Sequence, residues 1–417
     1  MPRSRLALLM LLAAGVPSMA ADWPQFRGPG GQGHSTAKNV PLTWSETENV
    51  TWKVPLPGLG WSSPAVKGDQ IWLTAAVDDG HSLRAIAVNR QTGAIVHDVE
   101  IFKLENPGSV HANNSHASPT PVVEGDRVYI HFGGHGTACL ATDGRIVWKT
   151  QELKYNHVHG PGGSPVIWKD LLIINCDGAD VQYVVALDKR TGEIRWKRDR
   201  QHTSEPRRSG KLEVPMAYST PLLIEVDGQT QLISLGSDAL VAHNPDDGAE
   251  LWWFSFIGYS NVPRPVYGKG MIFFASGFGT PVFYAMRVGG HGDLTETNKA
   301  WSMNKGALVP MDVSPLLVGD ELYTITDSGV IVCYDATSGK QHWQKRLSSK
   351  FWASPVYADG RIYCLDDSGT TTVLAPGTEF KELATSKLDG HTQASPAFVD
   401  GVVFLRTDTH LYRIEKR

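Results

Sequence analysis

Residues 314–320 read Ser314-Pro-Leu-Leu-Val-Gly-Asp320: a small residue and a proline, then a short apolar run and a Gly/Asp turn. The phrase recurs around Pro64, Pro121, Pro165, Pro221, Pro265, Pro355 and Pro396, giving eight copies spaced 40 to 57 residues apart. An average spacing of about 47 residues falls in the range of four-stranded propeller blades. An alternating apolar strand follows each turn, the two-residue period of a half-buried sheet.

A second phrase closes most units, a glycine followed four residues later by tryptophan: Gly144 to Trp148, Gly192 to Trp196, Gly248 to Trp252 and Gly339 to Trp343, with His97 replacing tryptophan after Gly93. The glycine allows the left-handed backbone of a tight turn, and the indole offers a wide apolar face to a neighbouring unit. The last copy stops at Leu411-Tyr-Arg-Ile414 without its outer strand, while Asn49-Val-Thr-Trp-Lys-Val54 reads as an outer strand without a unit. Joining the two removes the open sheet edges that invite aggregation. The expected fold is therefore all-β, an eight-bladed β-propeller of four-stranded antiparallel blades closed by an N-terminal strand. Residues 49–417 form the ring and 21–48 an N-terminal extension.

Composition agrees with this. The 417 residues are 41% hydrophobic and 20% charged, with 42 Gly, 25 Pro and 13 Trp, which suits many short strands joined by turns and excludes a disordered or coiled-coil chain. A net charge of -4 without a block of Lys or Arg leaves no footprint for nucleic acid. Arg3 and Arg5 precede the apolar run Leu6 to Val16 and the small-x-small site Ser18-Met-Ala20, so residues 1–20 read as a secretory signal. No stretch is long enough to span a bilayer. The protein is expected to be exported, periplasmic or secreted, soluble after cleavage, and monomeric. Export makes disulfides feasible, and the like placement of the cysteines in adjacent units suggests bridges Cys139–Cys176 and Cys333–Cys364, although four cysteines permit three connectivities.

Loops entering the inner strands gather at one mouth of a propeller channel. Seven units place Ser or Thr directly before the proline and the fifth places Arg264. Three positions before it stand Trp61, Ser118, Gly162, Tyr218, Val262, Asp312, Trp352 and Gln393. The aromatics, with Asp312 and Arg264, suit a mouth that stacks on a planar ligand or clasps a peptide or sugar; the plainer reading packs the tryptophans on loops and pairs Arg264 with Asp312. Six histidines, 111, 116, 131, 135, 157 and 159, cluster around the second unit. They lack the spacing of a zinc site, so no metal is assigned, and His116 and His159 are placed beside the mouth. Asp78-Asp79, Asp246-Asp247 and Asp366-Asp367 sit in hairpin contexts, and no nucleophile elbow or phosphate loop is present.

The repeats resemble the pyrroloquinoline-quinone-like (PQQ-like) repeat family of the quinoprotein-alcohol-dehydrogenase-like propellers. Asp188-Lys-Arg-Thr-Gly-Glu-Ile-Arg-Trp196 looks like that family's tryptophan docking motif, and Trp23-Pro-Gln-Phe-Arg-Gly-Pro29 is similar to the start of exported members without an assigned role. One branch implies PQQ and calcium in the funnel with an Asp as base, here Asp312; another implies a scaffold like the outer-membrane assembly factor BamB. No vicinal cysteine pair is present, and the short units leave little room for a roofed active site. The leading expectation is a non-catalytic, cofactor-free binding or scaffold module for a protein, peptide or carbohydrate partner in the cell envelope. Its contact residues would be Trp61, His116, His159, Tyr218, Arg264, Asp312 and Trp352. The alternative is a PQQ- and calcium-dependent oxidoreductase acting on alcohols or sugars, and a sensing or delivery module is a third reading.

Overall fold

The computed structural model describes residues 22–203, 207–208, 212–348 and 350–417; the signal assigned to residues 1–20 lies outside them. Eight antiparallel sheets follow one another around a ring, each running from an inner strand of three to five residues to an outer strand of five to nine. Blade 1 comprises Ala65–Lys67, Gln70–Val77, Ser82–Asn89 and Ile95–Lys103, and blades 2 to 7 repeat that plan. Blade 8 takes three strands from the C-terminus and its outer strand, Val50–Pro55, from the N-terminus, paired antiparallel with His410–Ile414. None of the described helices is long and apolar enough to cross a membrane.

Blades are fastened by the outer-strand aromatics. A Cβ added to Gly192 of blade 3, where φ is +80°, would lie 2.6 Å from Trp148 Cε3 of blade 2, and Trp148 Nε1 donates to the Lys189 carbonyl at 3.0 Å. The glycine turn of one blade is thus a seat for the indole of the preceding one, because only a bare Cα admits the ring. Trp52, Trp196, Trp301 and Trp343 likewise donate to carbonyls of the next blade at 3.3, 3.2, 2.9 and 3.0 Å. His97 makes the corresponding contact with the Thr142 carbonyl at 3.1 Å. Trp252 departs from the pattern: fully buried, it donates to Gln231 Oε1 within its own blade at 2.9 Å. Beside it Gly292–Asp293 adds a fifth, parallel strand to blade 4.

The hydroxyls before the prolines form a second fastening, around the channel. The amide of Ser63 donates to Thr120 Oγ1 at 3.0 Å, that of Thr120 to Ser164 Oγ at 2.9 Å and that of Ser164 to Thr220 Oγ1 at 2.9 Å. The chain of bonds resumes from Arg264 through Ser314, Ser354 and Ser395 back to Ser63. Only the junction from Thr220 to Arg264 lacks a bond of this kind, because arginine offers no hydroxyl there.

The extension before residue 49 is built into the ring. Trp23 exchanges two 2.8 Å backbone bonds with Val66, and the Pro24 carbonyl accepts from the Val123 amide at 2.8 Å. Gln32 Oε1 accepts from the Tyr267 amide at 2.7 Å, and His34 Nε2 meets the Leu317 carbonyl at 2.7 Å. Gly33 and Ser35 bracket Tyr357, and Ser35 Oγ donates to the Phe398 carbonyl at 2.8 Å. All six partners are the second residue after the repeat proline, so the segment crosses the channel at one level and satisfies inner-strand edges that would otherwise be bare.

The two disulfides are corrected. Cys139, Cys176, Cys333 and Cys364 are all buried free thiols. Cys139 and Cys176 share one inter-blade core and Cys333 and Cys364 another. Each pair spans two facing sheets, which stand about 10 Å apart, whereas a disulfide requires Cα atoms within about 7 Å. The thiols serve as small core hydrophobes, and burial pushes those of Cys139 and Cys333 up to about 12.

Candidate functional site

Above the crossing segment Trp23 to Ser35, the plug of the channel, lies a funnel of about 580 Å³, a volume suited to a side chain or small ligand. Trp61, His159, Tyr218, Asp312 and Trp352 share its wall, and the hydroxyl ring lies below them. Phe26 of the plug also lines the cavity, and the Tyr259 and Phe278 rings face it from blade 5. Their loops are held together by a 2.8 Å bond from the Phe278 amide to the Tyr259 carbonyl.

Arg264 and His116 are not where the sequence placed them. Arg264 is 2% exposed and turns away from the mouth toward the plug, donating Nη1 to the Phe26 carbonyl at 3.0 Å and Nη2 to the Pro221 carbonyl at 2.6 Å. It makes no ion pair with Asp312. The hydroxyl position lies three residues before the inner-strand residue that bonds the plug, here Arg264 before Tyr267, and the long side chain at this position turns to the plug and not to the rim. His116 is buried behind the wall against Gly80, its ring centroid 5.8 Å from that of His135.

Asp312 has a partner the sequence reading missed, Asp327. Asp327 Oδ1 accepts the amides of Met311 and Asp312 at 3.2 and 3.1 Å. Burial, with the adjacent Asp327 charge, holds the Asp312 carboxyl well above the usual carboxylate range, while Lys350 draws it down. Burial raises Asp327 too, but the two amides oppose it. Asp312 is therefore the member of the pair that more readily keeps a proton. Asp327 was legible in principle: it lies in the hairpin Thr326-Asp-Ser-Gly329 between the second and third strands, a turn that faces the same mouth as the loop carrying Asp312.

The histidines form the wall between blades 2 and 3. His111 and His159 line the funnel with ring centroids 5.5 Å apart. Behind them His135 and His157 approach to 4.9 Å, and His131 hydrogen-bonds Thr137 Oγ1 and the Tyr155 hydroxyl at 2.9 Å each. Burial, with mutual repulsion, lowers His131 and His157 to about 3 and His135 to about 4. These imidazoles are neutral packing groups. Among the described residues no three His, Cys, Asp or Glu side chains are grouped to hold a metal ion. Two carboxyls line the funnel, Asp312 and Asp327, and Asp327 Oδ1 already accepts two backbone amides, a carboxylate set that is a poor fit for a resident calcium ion.

Polar heads remain available in the funnel. The Asn113 and Gln393 carboxamides and the Tyr259 hydroxyl line it without a hydrogen-bond partner among the described residues, and Lys350 Nζ lies 4.9 Å from the Trp352 ring centroid. The site is therefore a blind, aromatic-walled cup with free hydrogen-bonding groups at its rim.

A family model described as "Outer membrane protein assembly factor BamB" matches residues 35–206, 180–288 and 292–415. Proteins of that name from Vibrio cholerae and Shewanella oneidensis are 26% and 25% identical over 188 and 194 residues, covering 42% and 44% of this chain. The matches span 46% and 48% of those relatives, just under half their length. The crystal structure of BamB from Moraxella catarrhalis superposes with a TM-score of 0.60 at 13% identity, covering 88% of this chain and 97% of that one. A europium-containing methanol dehydrogenase gives 0.67 at 13% identity over 93% of this chain and 90% of that one. At such identities the structural likeness is one of fold alone.

Proposed function

Because this chain belongs to the family described as outer membrane protein assembly factor BamB, we propose that it is an exported, non-catalytic scaffold of the cell envelope that receives a protein partner at the funnel mouth. The observation that carries this reading is the cup itself. Its aromatic walls supply rigid apolar contact area, its carboxamides stand free to meet a partner's polar groups, and its floor is closed by the chain's own plug. The aromatics and free amides resemble the anchors of a binding surface more than an arrangement of acid, base and nucleophile.

The quinone-dependent alternative has less support, since among the described residues no group of three or more His, Cys, Asp or Glu side chains stands ready for its calcium, and two carboxyls line the funnel. A photoreactive amino acid at Gln393 or Asn113, with one at Arg195 on the outer strand of blade 3 as control, tests the scaffold reading in the native envelope. The expected result is one defined protein adduct from the mouth positions and none from the control. Equal labelling at all three positions rejects the mouth as the docking site, and saturable PQQ binding with dye reduction by alcohols rejects the non-catalytic reading.

A further inference from the structure

Resting on the reading of the mouth as a partner site, we propose that the segment entering the funnel is a polypeptide C-terminus, a free carboxylate carried on a residue with an aromatic or large aliphatic side chain. Three features lead there. The plug makes the funnel blind, with Phe26 in its lining and backbone bonds to inner strands on both sides of the channel. A chain cannot pass through, so either a loop or an end must enter, and an end fits a narrow cup with less backbone to desolvate.

The charge balance selects which end. Arg27 and Arg264 lie at the plug, 1% and 2% exposed, each bound only to carbonyls: Arg27 to Pro315 at 2.7 Å and Gln32 at 3.0 Å, Arg264 to Phe26 and Pro221. Neither has a carboxylate in ion-pair range among the described residues. Buried cations are ordinarily paired. Lys350 adds a third positive charge and is the sole lysine or arginine lining the cavity. Against these three cations stand two carboxyls, Asp312 and Asp327, whose burial and mutual repulsion disfavour ionisation of both. The surplus is positive and favours an incoming anion. An α-amino terminus would be repelled, and a neutral sugar would leave the surplus uncompensated.

The apolar part of the cup completes the assignment. Phe26, Trp61, Phe278 and Trp352 provide aromatic contact for the last side chain. Asn113 and Gln393 at the rim can each donate to and accept from the peptide groups behind it. A free aromatic acid shares this chemistry without the peptide groups, and the experiment separates the two sources.

The test is calorimetric titration of the mature protein with a short peptide ending in a free phenylalanine, with its C-terminal amide, with the same peptide ending in serine, and with N-acetylphenylalanine. The free-acid phenylalanine peptide is expected to bind at least about tenfold more tightly than each of the others, about the effect of one charge-assisted contact. Lys350→Gln, a substitution of a partly exposed side chain without a structural bond, is expected to reduce the preference for acid over amide. Equal affinity for acid and amide, or a preference untouched by Lys350→Gln, overturns the proposal. Equal binding of N-acetylphenylalanine assigns the cup to small carboxylates and also overturns it. If no peptide binds while the mouth photocrosslinks still mark a protein, the terminus proposal fails and the scaffold reading stands.

Discussion

The amide of Ser395 in blade 8 donates to Oγ of Ser63 in blade 1 at 3.1 Å, joining residues 332 positions apart. This bond carries the run of hydroxyl bonds beneath the funnel from the last blade to the first, where the chain's two ends meet, and the strand Val50–Pro55 joins the same ends at the ring's outer edge. Closure is therefore enforced twice, at the inner and the outer radius. Ser63→Ala leaves a buried amide without its acceptor, which costs about 1–3 kcal/mol. Urea unfolding should show a lower midpoint with an unchanged slope; an unaltered midpoint refutes the role given to this bond.

Docking of indole on glycine predicts a contrast between two substitutions. Gly192 has φ +80° and faces Trp148, whereas Gly228 has φ +78° and nothing within 4 Å of an added Cβ. Alanine at either position carries the left-handed penalty of about 1–2 kcal/mol. Gly192→Ala must in addition displace the ring, so its destabilisation should clearly exceed that of Gly228→Ala. Similar midpoints for the two variants would show that the Trp148 seat contributes little.

The buried carboxyl pair gives a pH dependence with a definite sign. With its folded-state value raised, Asp312 keeps a proton that the unfolded chain releases above about pH 4. Over that window the native state binds more protons, so stability falls as pH rises. Asp312→Asn keeps a donor toward Asp327 and removes the titration. The variant should be more stable than the parent at pH 7 and close to it at pH 3, and parallel stability curves would contradict the shared proton.

The histidine wall acts in the opposite direction. His131 and His157 are lowered to about 3, so below about pH 6.5 the unfolded chain takes up protons that the native state refuses. Stability is fully present above that value and falls toward pH 3 by up to about 1.4 kcal/mol per pH unit for each histidine. His157→Gln can still accept the Gly134 amide that now bonds Nδ1 at 3.1 Å. Its stability should decline less steeply between pH 6 and pH 4, and an unchanged slope would remove His157 from the acid response.

What the sequence disclosed follows from what repeats. Eight prolines, the glycine-to-tryptophan turns and the orphan strand around Trp52 are periodic, and periodicity reports the blades and their closure directly. Five of the seven mouth residues came out on one wall because position within the repeat determines height in the channel. The plug occurs once, and its partners are backbone atoms of strands up to some 360 residues away, so Trp23 to Ser35 read as a mere extension. Asp327 was hidden because its alliance with Asp312 is made across two loops, and the cysteines misled because equal placement in adjacent sheets is not proximity.

Arg264 shows how an exception within the repeat could have revealed the plug. Where seven units place a hydroxyl that bonds a neighbouring blade, this unit places a guanidinium that holds Phe26 and Pro221. Gly31 lies so close that an added Cβ would overlap Arg264 Nη1, so the plug is shaped around this side chain. Arg264→Ser restores a hydroxyl to the ring, able to accept from Thr220 as its counterparts do, and removes a buried cation whose value burial depresses to about 9. The blades should therefore remain folded while the plug loses the charge-assisted bond at Phe26 and, with the Arg264–Pro221 bond, its tie to blade 4. Hydrogen exchange is expected to quicken at Trp23, Val66 and Val123 and to stay unchanged in outer-strand amides such as that of Trp148. Exchange that quickens throughout would make Arg264 a general support of the ring, and exchange unchanged at Trp23 would mean the inner-strand bonds hold the plug without it.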